Sequence, residues 1–90
     1  MNFIKVNIEN LKKGLKPLDA LILGVVESFN NNKMICYCTN EQFAEMFGVT
    51  EATVANALNR LSKGGYITKN TRVIKKDGNI IRRRTLTIVL

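Results

Sequence analysis

The stretch TNEQFAEMFGVTEATVANALNRLSKGGYI, residues 39–67, decides how this chain folds. It holds two apolar stripes at helical spacing, separated by a few residues. In the first, Phe43, Ala44, Met46 and Phe47 form one face, and Thr39 or Asn40 stands where a helix cap belongs. Gln42, three residues after Thr39, completes a capping-box pattern in which two otherwise unpaired backbone N–H groups are satisfied. Gly48 supplies a stop that accepts the left-handed conformation. Thr50 then caps a second helix, in which Val54, Ala57, Leu58 and Leu61 recur at offsets 0, 3, 4 and 7 until Gly64 and Gly65 close it. The stretch therefore reads as two short helices joined by one tight turn.

Towards the N-terminus, Pro17 stands at a first helical position, and Leu18, Leu21, Ile22, Val25, Val26 and Phe29 repeat at helical spacing. This helix is expected to end at about Phe29, where Asn30 to Asn32 follow. Gly24 within it costs about 1 kcal/mol against alanine and is expected to permit close packing. Ile35 to Cys38 has the character of a short strand. Asn2 to Glu9 alternates Ile4, Val6 and Ile8 with Lys5, Asn7 and Glu9, the pattern of a half-buried strand. Towards the C-terminus, Tyr66–Ile74 and Ile80–Leu90 are rich in β-branched residues, with Leu86, Ile88 and Leu90 alternating against Thr85, Thr87 and Val89. Between them, Asp77-Gly78 is the dipeptide that favours a type I′ turn, so the two strands are expected to form an antiparallel hairpin with a basic tip.

Ninety residues suffice for one small domain, 1–90. The chain contains no histidine and only two cysteines, which excludes histidine triads, histidine metal sites and a disulfide framework. Cys36 and Cys38 lack the further ligands a metal needs, and they read as small buried apolar residues. Glu41 and Glu45 lie one helical turn apart, but no nucleophile or glycine-rich phosphate loop accompanies them. They read as a solvated face, and neither an enzyme nor a cofactor is expected. The apolar run near Leu21 is far shorter than a membrane span and Met1 does not open a signal peptide, so a soluble cytoplasmic protein is expected. Asparagine (11), isoleucine (9) and lysine (9) make up 29 of the 90 residues, a usage that AT-rich coding favours.

The net charge of +7 conceals a segregation. Residues 1–16 sum to +3, residues 17–62 to −3, and residues 63–90 to +7. Lys69, Arg72, Lys75, Lys76, Arg82, Arg83 and Arg84 all fall within sixteen residues of the hairpin. Positive charge concentrated in this way is the footprint of a polyanion binder, nucleic acid above all. A solubilising strand edge is the competing reading.

The order strand, helix, short strand, helix, turn, helix, hairpin describes an α+β winged helix-turn-helix with an additional N-terminal strand. It divides into the strand at 1–10, the helix-turn-helix at 39–63 and the wing at 66–90. Thr39–Ile67 resembles the core of winged-helix proteins of plasmid and phage replication, partition and conjugative-transfer modules, and of many bacterial regulators. The resemblance implies that Ala44 lets the helices cross closely, that Gly48 makes the turn and that Val49 plugs the interhelical core. It further implies that Thr50 caps the recognition helix, Val54 and Leu58 anchor it, and Leu61, Gly65 and Tyr66 lead into the wing. The implied partner is double-stranded DNA, bound by a homodimer or by adjacent copies.

The recognition helix offers Thr53, Asn56, Asn59, Arg60 and Lys63 to DNA. Asn56 suits adenine N6 and N7, Thr53 a phosphate or a thymine methyl, and Arg60 a phosphate or guanine. Relatives that read DNA in the usual way place arginine or lysine around positions 51, 52 and 55, where this chain has Glu51, Ala52 and Ala55. The helix is therefore poor in charge, and a protein partner for it is the rival reading. On the wing, Arg82 and Arg84 project from one face and Arg83 from the other. The N-terminal strand is expected to join the hairpin in a three-stranded sheet, bringing Lys5, and with it Lys12 and Lys13, beside the wing arginines; a dimerisation strand is the alternative. Five to seven phosphate contacts per protomer correspond to a log-affinity against log-salt slope of about −4 to −6.

Overall fold

The computed structural model describes residues 14–89. Lys5, Lys12, Lys13, the expected strand Asn2–Glu9 and Leu90 lie outside the described residues. The elements are α1 (Pro17–Asn31), α2 (Asn40–Phe47), α3 (Glu51–Lys63), β1 (Ile67–Lys76) and β2 (Asn79–Ile88). Three helices followed by a hairpin make the expected α+β winged helix-turn-helix.

α1 begins with Pro17, whose fixed φ suits the first turn and whose missing N–H costs no intrahelical bond there. It continues to Asn31, two residues past the expected end. The asparagines do more than break it. Asn32 donates its side-chain amide to the Ser28 carbonyl at 2.7 Å, and Asn30 accepts the Ile88 N–H at 2.8 Å, tying the helix end to β2. The buried face is also broader than the periodicity suggested, taking in Asp19, Leu23 and Gly24 beside Ile22, Val25 and Val26. The reason is geometric, since α1 packs on both α3 and β2.

The capping box of α2 is complete: Gln42 N–H donates to Thr39 Oγ1 at 3.1 Å, and Thr39 N–H donates to Gln42 Oε1 at 2.9 Å. Gly48 ends the helix at φ +66°, a left-handed conformation that a Cβ would oppose. The chain then re-enters a helix within three residues. Val49 N–H bonds to the Ala44 carbonyl at 3.0 Å and its side chain packs partly buried on the core, while Thr50 Oγ1 accepts the Thr53 N–H to cap α3.

β1 and β2 pair antiparallel from Ile67↔Ile88 to Lys76↔Asn79, with Asp77 at φ 51° and Gly78 at φ 78°. Two successive positive φ values are the signature of the expected type I′ turn. The expected strand Ile35–Cys38 contracts to a single bridge, Cys36↔Leu86, because Thr39 already belongs to the cap of α2 and leaves no room for a longer ladder. One core joins all of this. Ile22, Leu23, Val25 and Val26 meet Phe43 and Ala44, the α3 stripe Val54, Ala57, Leu58 and Leu61, and Cys36, Ile67 and Leu86 from the sheet. Phe43 and Phe47 stack with ring centroids 6.4 Å apart. Burying these side chains leaves the distal half of the hairpin outside the core.

Candidate nucleic-acid interface

The register divides the hairpin into two faces. Ile67, Leu86 and Ile88 lie on the face that covers the helices, and further out the same face carries Lys69, Thr71, Val73, Lys75, Arg82 and Arg84. The opposite face carries Arg72, Ile74, Lys76, Ile81 and Arg83. Six of the seven wing cations, Lys69, Arg72, Lys75, Lys76, Arg82 and Arg83, are exposed. Exposed among them are the apolar side chains Val73, Ile80 and Ile81.

Arg72 and Arg83 stand directly opposite each other, an arrangement of like charges that opposes strand pairing. Tyr37 softens it. Its hydroxyl accepts a hydrogen bond from Arg72 at 3.1 Å, and the Arg83 guanidinium lies 5.7 Å from its ring centroid, within cation–π range. The sequence pointed to both arginines but not to Tyr37, whose place outside the core follows from the alternation Cys36-Tyr37-Cys38: when Cys36 is buried, its neighbour faces out.

Arg84 differs from its neighbours. It is half-buried, giving Nη1 to Asn40 Oδ1 and Nη2 to the Cys38 carbonyl, so that it fastens the wing to the start of α2. Burial lowers its pKa from the usual guanidinium value. Its position on the inner face two residues before buried Leu86 carries it inward, and the structure thus separates it from the six exposed wing cations. Tyr37, Cys38, Thr39, Asn40, Gln42 and residues 81–84 enclose an open cleft of about 490 Å³ between wing and helix.

On α3, Ala52, Asn56, Asn59 and Lys63 follow one another at offsets 0, 4, 7 and 11, along the stripe opposite the buried Val54, Ala57, Leu58 and Leu61. All four are exposed. Asn59 Oδ1 accepts a 2.7 Å hydrogen bond from Lys69 Nζ, which joins the end of this stripe to the base of the wing. Thr53 is exposed at the first turn, with its hydroxyl 2.8 Å from that of Thr50.

Arg60, expected at a phosphate or a guanine, makes a two-pronged contact with Asp19 of α1, Nε to Oδ2 at 2.9 Å and Nη2 to Oδ1 at 2.8 Å. The Asp19 hydrogen bonds raise the Arg60 pKa further, and the carboxylate itself is 2% exposed. Arg60 lies on the flank of α3 that faces the start of α1, where a buried carboxylate needs a forked partner. Nothing local could have shown this, since the two residues are 41 positions apart and Asp19 in a first helical turn has an ordinary reason to be there.

No helix among the described residues is long and apolar enough to cross a membrane. A family model described as a helix-turn-helix domain matches residues 13–67, which takes in all three helices and the start of the wing. Searches of curated proteins and of solved structures gave no match. With the capped α2, the left-handed glycine turn and the anchored α3 all inside the matched span, the chain belongs to the helix-turn-helix domain family, a family of DNA-binding domains.

Proposed function

We propose that this protein binds double-stranded DNA in a sequence-specific manner, chiefly through its basic wing, as an accessory or regulatory factor of a plasmid or other mobile element. The observation that carries the reading is the contrast between two surfaces. The wing exposes six cations, Lys69, Arg72, Lys75, Lys76, Arg82 and Arg83, while the outward stripe of α3 holds a single one, Lys63, beside Ala52, Asn56 and Asn59. Phosphate binding therefore falls to the wing, with Lys5, Lys12 and Lys13 of the N-terminal segment adding to it, and base reading falls to Asn56, Asn59 and Thr53. Arginine suits the wing because its planar fork engages phosphate in two places and fits a narrow minor groove.

One such module has a small interface, so binding as a homodimer or as adjacent copies supplies the remaining specificity. A role at an origin of replication, partition or transfer follows from the resemblance of Thr39–Ile67 to proteins of those modules and from the asparagine-, isoleucine- and lysine-rich composition. The second reading, a winged helix that docks on a protein through α3, draws on Glu51, Ala52 and Ala55, which leave that helix weakly charged; a transcriptional regulator that reads DNA through α3 is equally compatible with the fold.

Selection from a random duplex library at near-physiological salt tests the proposal. Enrichment of a motif, with a repeat spacing that reports the number of copies bound, is the expected result. Retention without enrichment reduces the function to backbone binding, and no retention overturns the DNA reading in favour of a protein partner.

A further inference from the structure

Cys36 and Cys38 occupy alternate positions of an extended segment and so lie on one side of it. Cys36 is fully buried at its bridge to Leu86. Cys38 is half-buried and opens on the cleft of about 490 Å³, whose other walls include Tyr37, Arg82, Arg83 and Arg84. Arg84 forms the inner wall. Two of its nitrogens are spent on Asn40 Oδ1 and the Cys38 carbonyl, but Nε is buried and finds no acceptor among the described residues.

A half-buried cation with an unmet donor is costly unless an anion compensates it. No carboxylate pairs with Arg84 among the described residues, and the ionisable groups that act on it are the two thiols. A thiolate at Cys38 supplies the missing countercharge at the open end of the cluster. The neighbouring Cys38 thiol and burial push the Cys36 pKa up, so Cys36 itself stays protonated. The neighbouring Cys36 thiol, followed by the Arg84 charge, holds the Cys38 pKa down to about 7 against the opposing effect of burial.

We propose that Cys38 is a nucleophilic site that exchanges with anionic low-molecular-weight disulfides, the adduct lying in the arginine-lined cleft. The Cys38 sulfur attacks one sulfur of the disulfide, a new S–S bond forms as the old one breaks, and the second half leaves as a thiolate that takes up a proton from water. No other oxidant is consumed. Arg82, Arg83 and Arg84 select the anionic reagent by charge, and Cys36, sealed beneath the sheet, stays unreacted.

The test treats the folded full-length chain with glutathione disulfide, which is anionic, or cystamine, which is cationic, and locates the adducts by mass spectrometry. The expected result is a single adduct on Cys38, formed roughly tenfold or more faster with glutathione disulfide at low salt, with the difference narrowing as salt rises. Cys38→Ser abolishes the adduct and Cys36→Ser retains it. Arg84→Gln shifts the midpoint of the pH profile for iodoacetamide alkylation upward, from about 7 towards the ordinary thiol value near 8.5. An adduct on Cys36, reaction only after denaturation, or equal rates with the two disulfides overturns the proposal. The comparison of the two disulfides uses the unaltered chain and no DNA, so it stands whether or not Arg84→Gln folds and whatever the DNA experiments return.

Discussion

Lys75, Lys76 and Arg82 are exposed near the wing tip and make no hydrogen bond or ion pair among the described residues, so replacing all three with glutamine removes charge without removing a structural contact. If the six exposed wing cations each neutralise one phosphate, the slope of log affinity against log salt is about −5.4 per protomer, and the triple variant retains about −2.7. Over a fourfold rise in salt, from about 50 to about 200 mM, affinity then falls about 2000-fold for the unaltered chain and only about 40-fold for the variant. Fluorescence anisotropy with a labelled duplex across that salt series measures both numbers. At low salt the variant binds more weakly, and towards high salt the two curves converge. A variant slope equal to that of the unaltered chain refutes the assignment of phosphate contacts to the wing tip, and a slope near −1 for both refutes polyanion binding altogether.

Three other outcomes follow from the same structure. Gly48→Ala places a Cβ on a residue at φ +66° where no neighbouring atom lies within 4 Å, so its cost is backbone strain alone, about 1 kcal/mol, seen as a lower urea midpoint at constant m. Arg60→Ala strips the forked partner from a carboxylate that is 2% exposed; it lowers the urea midpoint well beyond a typical surface substitution, yet leaves the salt slope of DNA binding unchanged. An unchanged urea midpoint would return Arg60 to the DNA-facing set. Raising NaCl from about 20 to about 300 mM in the absence of DNA screens the Arg72–Arg83 opposition and the net charge of +7, so the thermal midpoint rises; a fall would show that attractive pairs dominate the surface.

The helical core was legible in the sequence because its signals are local. A threonine followed three residues later by glutamine, a glycine between two apolar stripes, and an Asp-Gly dipeptide between β-branched runs each specify a backbone geometry within a few residues, and each is realised at Thr39, Gly48 and Asp77. The fastenings across the fold were not legible. Asp19 with Arg60, Tyr37 with Arg72 and Arg83, and Arg84 with Asn40 and Cys38 join residues 35 to 46 positions apart or meet across the sheet, and each partner is individually unremarkable for its element. Charge counting therefore treated seven wing cations as one class. Arg84 shares its face with Lys69, Lys75 and Arg82, and stands apart because it is half-buried and bonds to Asn40 and to the Cys38 carbonyl. Ile35–Cys38 illustrates the opposite error, in which β propensity outran the room available before the next helix cap.

Whether the wing rather than the recognition helix carries the main DNA contacts is decided by an NMR titration of the isotope-labelled chain with a duplex, following backbone amides and arginine side chains together. The largest shifts are expected on residues 69–83, with the Arg72, Arg82 and Arg83 guanidinium signals moving more than any amide of α2, and smaller shifts at Asn56 and Asn59. Shifts confined to residues 41–63, with the wing arginines unmoved, would contradict the assignment to the wing.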